Sequence, residues 1–381
     1  MKRSTDRILT THTGRLDPPK DLGDMTRARQ RGEPVDTTAY EARLREGVAE
    51  VVRRQRETGI DVVSDGELGK FNSFVYYSRR LTGLKTRPVR EGEPPGMWER
   101  TGERIEFAEF YDYLGFRTAR ERMYFDGPIS YIGAEEVQRD IELAKNALNG
   151  VPVEEAFMCV LAPGWLEHWM YNEYYKTDEE YLFAIADAMK DEYRAIVDAG
   201  FILQLDDPGL PDTYDMIVPA PSIEEYRRFA EIRVDALNHA LQGLPEDRIR
   251  YHICWGSWHG PHTHDLPLKH VVDLMLKVTA EAYSVEAANP QHEHEWKVWR
   301  ATKLPEGKIL IPGVVSHASN VVEHPELVCD RILQYADLVG RENVIAGTDC
   351  GMGGRVHHQI GWAKLAALVA GAGMASKALW S

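Results

Sequence analysis

Long apolar runs are missing from this chain. No segment of its 381 residues approaches the eighteen or more consecutive apolar positions that a membrane-spanning helix needs, which excludes a helical span. The opening MKRSTDRILTTHTG has no apolar stretch behind its charges, so no secretory signal is expected. Positive charge is in deficit: 45 Lys and Arg against 60 Asp and Glu leave a formal net charge of −15. Such a surface argues against nucleic acid and anionic membrane as partners. Cysteine is scarce. Four residues, Cys159, Cys254, Cys329 and Cys350, cannot scaffold a chain of this size with disulfides, and a reducing, cytoplasmic setting is expected. Internal repeats, low-complexity tracts and flexible linkers are also absent, so residues 1–381 are read as one domain.

What is present is an alternation. Short apolar, β-branched runs at 7–14, 60–67, 156–164, 201–207, 248–256, 282–289, 308–317 and 343–351 read as strands. Amphipathic stretches at 40–58, 178–199, 222–243, 267–280, 291–302, 324–340 and 359–379 read as helices. Strands alternating with helices imply a parallel sheet with crossover connections, and eight such units imply an α/β chain folded as a (β/α)8 TIM barrel. The competing architecture is an open doubly wound sheet; no G-x-G-x-x-G follows the first strand to favour it. Residues 15–39 read as an irregular lead-in. Residues 68–155, after the second strand, read as an insertion over the barrel mouth. Its aromatic segments FNSFVYYSRRL, RIEFAEFYDYLGF and RMYFDGPISYIG suggest a hairpin or extra strands, followed by a helix at 134–148.

Chemistry concentrates where the apolar strands finish, which in such a barrel is the catalytic rim. The strand ends carry Gly14 and Arg15, Asp65 and Glu67, Asp206 and Asp207, His252 and Cys254, Glu286, His317, and Asp349 with Cys350. Turn residues alone would account for Gly and Asp there, but not for Cys, Glu and His. His252 and Cys254 are two residues apart on a strand, so their side chains share a face. With Glu286 and Cys350 they make a nitrogen, two sulfurs and a carboxylate, a donor set suited to tetrahedral Zn²⁺. Zinc deprotonates a thiol that is otherwise mostly protonated at neutral pH. Two thiolates and a carboxylate leave such a site with net negative charge, which keeps an incoming sulfur nucleophilic. Hydrolytic zinc sites more often use His and carboxylate with a bound water. The set therefore points to alkyl transfer onto sulfur, with Glu286 the ligand expected to yield to the thiol.

The remaining candidates are weaker. His259, His262, His264, His292 and His294 read as solvated loop residues or partners of the site rather than a second metal centre. Cys159 and Cys329 lie in apolar surroundings and read as small buried hydrophobes.

At these residues the sequence resembles the catalytic domain of the cobalamin-independent methionine synthase family, including single-barrel members such as the epoxyalkane–coenzyme M transferases. The resemblance runs from TTHTG near the start to GTDCG near the end. It implies a (β/α)8 barrel in which His252, Cys254, Glu286 and Cys350 hold zinc. It also implies that Glu67 and Asp206 bind the polar end of the thiol and that His317 handles protons during transfer. Arg15 stands where the family has serine after the glycine matched by Gly14, and could meet an anionic head group. Lys70, Arg79, Arg80 and Arg355 are further cations expected near the mouth. The implied partners are a small-molecule thiol, homocysteine or a similar one, and an alkyl donor, either a folate-like methyl donor or an epoxide. The chain departs from the full synthase in having a single barrel. A decarboxylase-like or corrinoid-linked barrel and a non-catalytic zinc-stabilised, thiol-binding barrel stay open beside this reading, as does a homo-oligomer.

Overall fold

The computed structural model describes residues 1–70, 73–256 and 258–381, with residues 73 and 74 described through their backbone. Eight strands form one parallel sheet. In chain order they are β1 (Leu9–Thr10), β2 (Val62–Ser64), β3 (Glu155–Leu161), β4 (Ile202–Asp206), β5 (Ile249–Ile253), β6 (Ala282–Val285), β7 (Ile309–Val315) and β8 (Ile345–Thr348). Consecutive strands from β2 to β8 pair in parallel, and β8 returns to β1 through Leu9 against Ile345. The seam between β1 and β2 is bridged by a backbone bond from Asp61 N–H to Thr10 O (3.1 Å). Asp61 Oδ2 reinforces it by accepting from Thr10 N–H (2.8 Å). The sheet is therefore a (β/α)8 barrel.

Period-two alternation builds its two faces. Ile309 and Ile311 on β7 join Leu9, Ala282 and Ile345 in a small apolar cluster inside the barrel. Leu310 between them belongs to the large outer cluster packed under the helices. Above the interior cluster the barrel holds polar groups. The buried Arg250 donates to Gln204 Oε1 (2.6 Å) and Thr11 Oγ1 (3.0 Å), and its guanidinium carbon lies 3.6 Å from the Phe157 ring centre. Gln204 in turn donates to Asp206 Oδ1 (2.6 Å), so this layer orients a residue of the rim.

The long helices agree with the amphipathic pattern because their ends are chemically marked. The helix Thr37–Thr58 starts under the Asp36 carboxylate, which accepts from Thr38 N–H and Ala39 N–H, and stops at Gly59 with φ +100°. The helix Ile223–Ala240 starts in a Ser222–Glu225 capping box.

Four expectations need correction. The lead-in 15–39 is not irregular throughout, since Lys20–Gln30 is helical. The stretches 267–280 and 291–302 hold only short 3-10 segments and single α-turns, Val272–Met275 and Val298–Ala301. In 267–280 side chains take two of the backbone groups: Glu295 Oε1 accepts from Leu268 N–H (2.7 Å), and Tyr283 OH donates to Val278 O (2.8 Å). In the insertion, RIEFAEFYDYLGF forms two short helices, Gly102–Glu106 and Ala108–Tyr113, rather than strands. The Thr101 hydroxyl caps the first by accepting from Arg104 N–H (3.2 Å). The extra sheet pairs Leu84–Pro88 antiparallel with Glu121–Phe125, but its third strand, Met170–Asn172, comes from beyond 68–155. Within FNSFVYYSRRL, Ser73–Ser78 is helical, while residues 71 and 72 lie outside the described residues. Among the described residues no helix is long and apolar enough to cross a membrane.

Candidate active site

At the C-terminal ends of the strands a cavity of about 560 Å³ opens. Thr13 and Arg15 after β1, Glu67 after β2, Asp206 on β4, His252 and Cys254 at β5 and Cys350 after β8 share its wall. Trp98, Thr101 and Arg104, within 68–155, also line it.

One group of donors is compact. A ring nitrogen of His252 and the sulfurs of Cys254 and Cys350 all lie within 4.8 Å of one another. His252 Nδ1 is 3.1 Å from Ser284 Oγ, while its Nε2 is buried without a hydrogen-bond partner. Bonding one ring nitrogen to the protein and leaving the other bare is how ligating histidines are oriented. Cys350 is held well below the ordinary thiol pKa by a hydrogen bond from Cys254 and by His252, while Cys254 is pushed well above it by that same bond and by burial. A bare imidazole nitrogen beside two converging sulfurs fits a thiophilic divalent ion such as Zn²⁺.

Glu286 does not share that trio. Its carboxylate groups with His317 and Asp349, again within 4.8 Å. It accepts from Trp255 N–H (3.2 Å) and Asn289 Nδ2–H (2.6 Å). Asp349 Oδ1 accepts from the N–H groups of Ala287 (2.7 Å) and Ala288 (2.8 Å), which ties β8 to the turn after Glu286. His317 is buried, its Nδ1 has no partner, and burial lowers its pKa to about 4, so the ring is neutral.

A second group faces the metal-type trio. Carboxylate oxygens of Glu67 and Asp206 lie within 4.8 Å of each other and of Cys159 Sγ. Burial pushes both acids up, Asp206 to about 7 with Glu67 adding to it. Glu67 takes φ +55° after Gly66 at +68°, an uncommon conformation for a side-chain-bearing residue that turns its carboxylate toward the rim. Cys159 is buried, donates to Thr13 O (3.7 Å), and is kept protonated by burial.

The cations sort differently from expectation. Arg15 and Arg355 line the cavity. Arg80 does not: it is fully buried in ion pairs with Glu136 (3.2 Å), Asp140 (2.7 Å) and Glu192 (2.9 Å) behind the barrel. Lys70 is buried against the carbonyl of Cys159, and Arg79 lines a separate cavity near the helix Lys20–Gln30. His262 and His292 are not solvated loop residues. Both hold Asp265 Oδ2 at 2.9 Å, and His292 stacks on Trp255 with ring centres 3.7 Å apart.

Trp98, Trp165, Trp169, Trp258, Arg104 and Asp212, none of them expected at the rim, also line the cavity. Four tryptophans clustered in segments flanking strand ends were the available signal. Asp212 gave none, because it lies inside the short helix Gly209–Met216.

Known proteins resemble this chain. The family described as "Cobalamin-independent synthase, Catalytic domain" matches residues 163–373. A methionine synthase of Sulfolobus acidocaldarius is 23% identical over 91% of this chain and 86% of its own length. That of Thermococcus kodakarensis is 22% identical over 96% and 92%. Among solved structures, a B12-independent methionine synthase from Shewanella sp. W3-18-1 in complex with selenomethionine superposes with a TM-score of 0.71 at 19% identity, covering 98% of this chain and 99% of that one. A putative B12-independent methionine synthase from Listeria monocytogenes gives 0.67 at 17% identity over the same shares. At such identities the structures speak to the fold, and the family match carries the assignment: this chain belongs to the cobalamin-independent synthase family, in the class of its catalytic domain.

Proposed function

We propose that the protein is a zinc-dependent S-alkyltransferase that methylates a small amino-acid thiol, homocysteine or a close relative. The observation that carries this reading is the pairing of a His–Cys–Cys donor trio with two raised-pKa carboxylates across one cavity. His252, Cys254 and Cys350 would hold the ion, with Glu286 as a fourth ligand that exchanges against substrate. Zinc there would supply acidification of the substrate thiol at neutral pH while leaving its sulfur nucleophilic.

The chain's own residues do the rest. Glu67 and Asp206 receive the ammonium end of the thiol and fix its sulfur toward the trio. A buried cation stabilises their ionised forms against the burial that raises them. Gly14 leaves the space in which Glu67 sits, and Arg15 meets the substrate's anionic end. His317, neutral and beside Glu286, accepts the proton that the thiol gives up. The names of the relatives support homocysteine as the thiol. A purely structural zinc site is closed by four ligands; a trio that forms part of an open cavity wall supports catalysis instead.

A second reading is favoured by Arg15 and Arg355 in the wall: a sulfonate-bearing thiol such as coenzyme M adding to an epoxide. Metal analysis followed by a thiol panel separates the two. Homocysteine should be alkylated and coenzyme M should not. Turnover with coenzyme M and an epoxide alone would favour the second reading, and turnover without zinc would overturn both.

A further inference from the structure

Beneath the rim the barrel interior holds a cation that meets no carboxylate directly. Arg250, on β5, is 1% exposed, and among the described residues no ion pair joins it to an acid. Its nitrogens donate instead to Gln204 Oε1 (2.6 Å), Thr11 Oγ1 (3.0 Å) and His12 O (2.5 Å). A buried guanidinium without an ion pair costs stability, and an apolar side chain could fill the same space. Packing alone does not call for a charge here.

Two chains of bonds lead from Arg250 up to the rim. The first runs through β4. The register sets Gln204 opposite Arg250 and Asp206 opposite His252, and residues two apart on a strand share a face. The Gln204–Arg250 rung therefore lies directly under the Asp206–His252 rung. Because Arg250 Nε takes the amide oxygen of Gln204, the amide nitrogen must face the other way. There it lies 2.6 Å from Asp206 Oδ1, 2.9 Å from Thr13 O and 3.3 Å from Cys159 Sγ. A flipped amide would set its oxygen against the Asp206 carboxylate and lose all three bonds. The second chain runs through His12, which is buried and kept neutral by that burial, its pKa lowered to about 4. Its Nδ1 accepts from Gly14 N–H (3.0 Å), and its Nε2–H faces Gln55 Oε1 (2.7 Å). Gly14 is the residue against which Glu67 packs.

We propose that Arg250 and Gln204 are positioning residues for the ammonium group of the thiol: the arginine orients the Gln204 amide, the amide holds one oxygen of Asp206, and the other oxygen is presented to the substrate beside Glu67. This rests on the alkyl-transfer reading, in which Glu67 and Asp206 receive that ammonium. Neither Arg250 nor Gln204 lines the cavity, so neither touches the thiol. The terminal torsion of a carboxylate is broad and two-fold. A bond from below selects one orientation in advance and leaves less ordering to the binding step. What the pair sets is the preference for an amino-bearing thiol over the same thiol without its amino group.

The test titrates zinc-loaded protein with homocysteine and with 4-sulfanylbutanoate, which is homocysteine lacking the amino group, and reads both affinities by calorimetry. The parent protein should bind homocysteine about tenfold more tightly, or better. Gln204→Met keeps the bulk and removes the amide, and Arg250→Lys keeps the charge and removes the fork. Each should cut the preference to about threefold or less by weakening homocysteine alone, with 4-sulfanylbutanoate affinity and zinc content unchanged. A merely structural role would weaken both thiols together. A double-mutant cycle supplies the second measurement, and decides the matter with Gln204→Met if Arg250→Lys does not fold. Asp206→Asn should lose the preference by itself, and Gln204→Met added to it should lower it no further. A preference that survives in the folded variants, or equal weakening of both thiols, overturns the inference and leaves the alkyl-transfer reading standing. A parent protein that binds both thiols alike, or neither, overturns the inference together with the assignment of Glu67 and Asp206 to the ammonium.

Discussion

Glu67 occupies the space that a side chain on Gly14 would need. A Cβ at position 14 would lie 2.9 Å from Glu67 Oε1 and overlap the sulfur of Cys159. Gly14 also has φ +113°, where only glycine is unstrained. The turns after β1 and β2 thus approach too closely for a side chain at position 14, and the carboxylate proposed to bind the thiol's ammonium depends on that.

Gly14→Ala should therefore leave a folded barrel but displace Glu67. The backbone strain is on the order of 1–3 kcal/mol. The expected result is a KM for the thiol raised about tenfold or more with zinc content unchanged, measured by initial rates and metal analysis.

Ser284 tests the metal reading from outside the ligand set. It holds His252 Nδ1 at 3.1 Å. Ser284→Ala should weaken zinc binding about 10- to 100-fold, read by competition with a chromogenic chelator, while circular dichroism stays native. Unchanged affinity would mean that His252 is not oriented for a metal.

His262 should give the fold a pH signature. After burial, which lowers its pKa, the bond to Asp265 dominates and raises it to about 9. A histidine whose pKa is higher folded than unfolded stabilises the protein fully below the unfolded value of about 6.5, and that contribution disappears as pH rises through about 9. Urea unfolding between pH 6 and pH 9.5 should show a loss of about 1–3 kcal/mol that is absent in His262→Gln.

Arg80 belongs to stability rather than to substrate. Removing it leaves Glu192 and Asp140 charged and buried. Arg80→Met should cost about 3–5 kcal/mol in unfolding free energy. The fraction that remains folded should keep the wild-type KM for the thiol.

The barrel was legible in the sequence because period-two strands and capped amphipathic helices carry their own signals. The grouping of His252, Cys254 and Cys350 was legible because strand ends of one barrel share a rim. Other features were not. The segments 267–280 and 291–302 have a helical pattern but close in single turns, and in the first of them Glu295 and Tyr283 take the backbone groups of Leu268 and Val278. Arg80 was expected at the mouth because its partners Glu136, Asp140 and Glu192 are 56 or more residues away and give no local sign. The grouping of the Glu286 carboxylate with His317 and Asp349 was not legible either, because spacing cannot say which way a side chain turns at a strand end. The tryptophan wall was missed because four aromatics from three separate segments meet only in the folded chain.

The proposed function stands or falls on His252, Cys254 and Cys350 forming a zinc site that takes a substrate sulfur. Zinc K-edge X-ray absorption tests it directly. The resting protein should show two sulfur ligands at about 2.3 Å and lighter N/O ligands at about 2.0–2.1 Å. Adding homocysteine should raise the sulfur count to three as an oxygen ligand is lost. Protein that binds no zinc, or a sulfur count that stays at two under saturating thiol, would contradict the account.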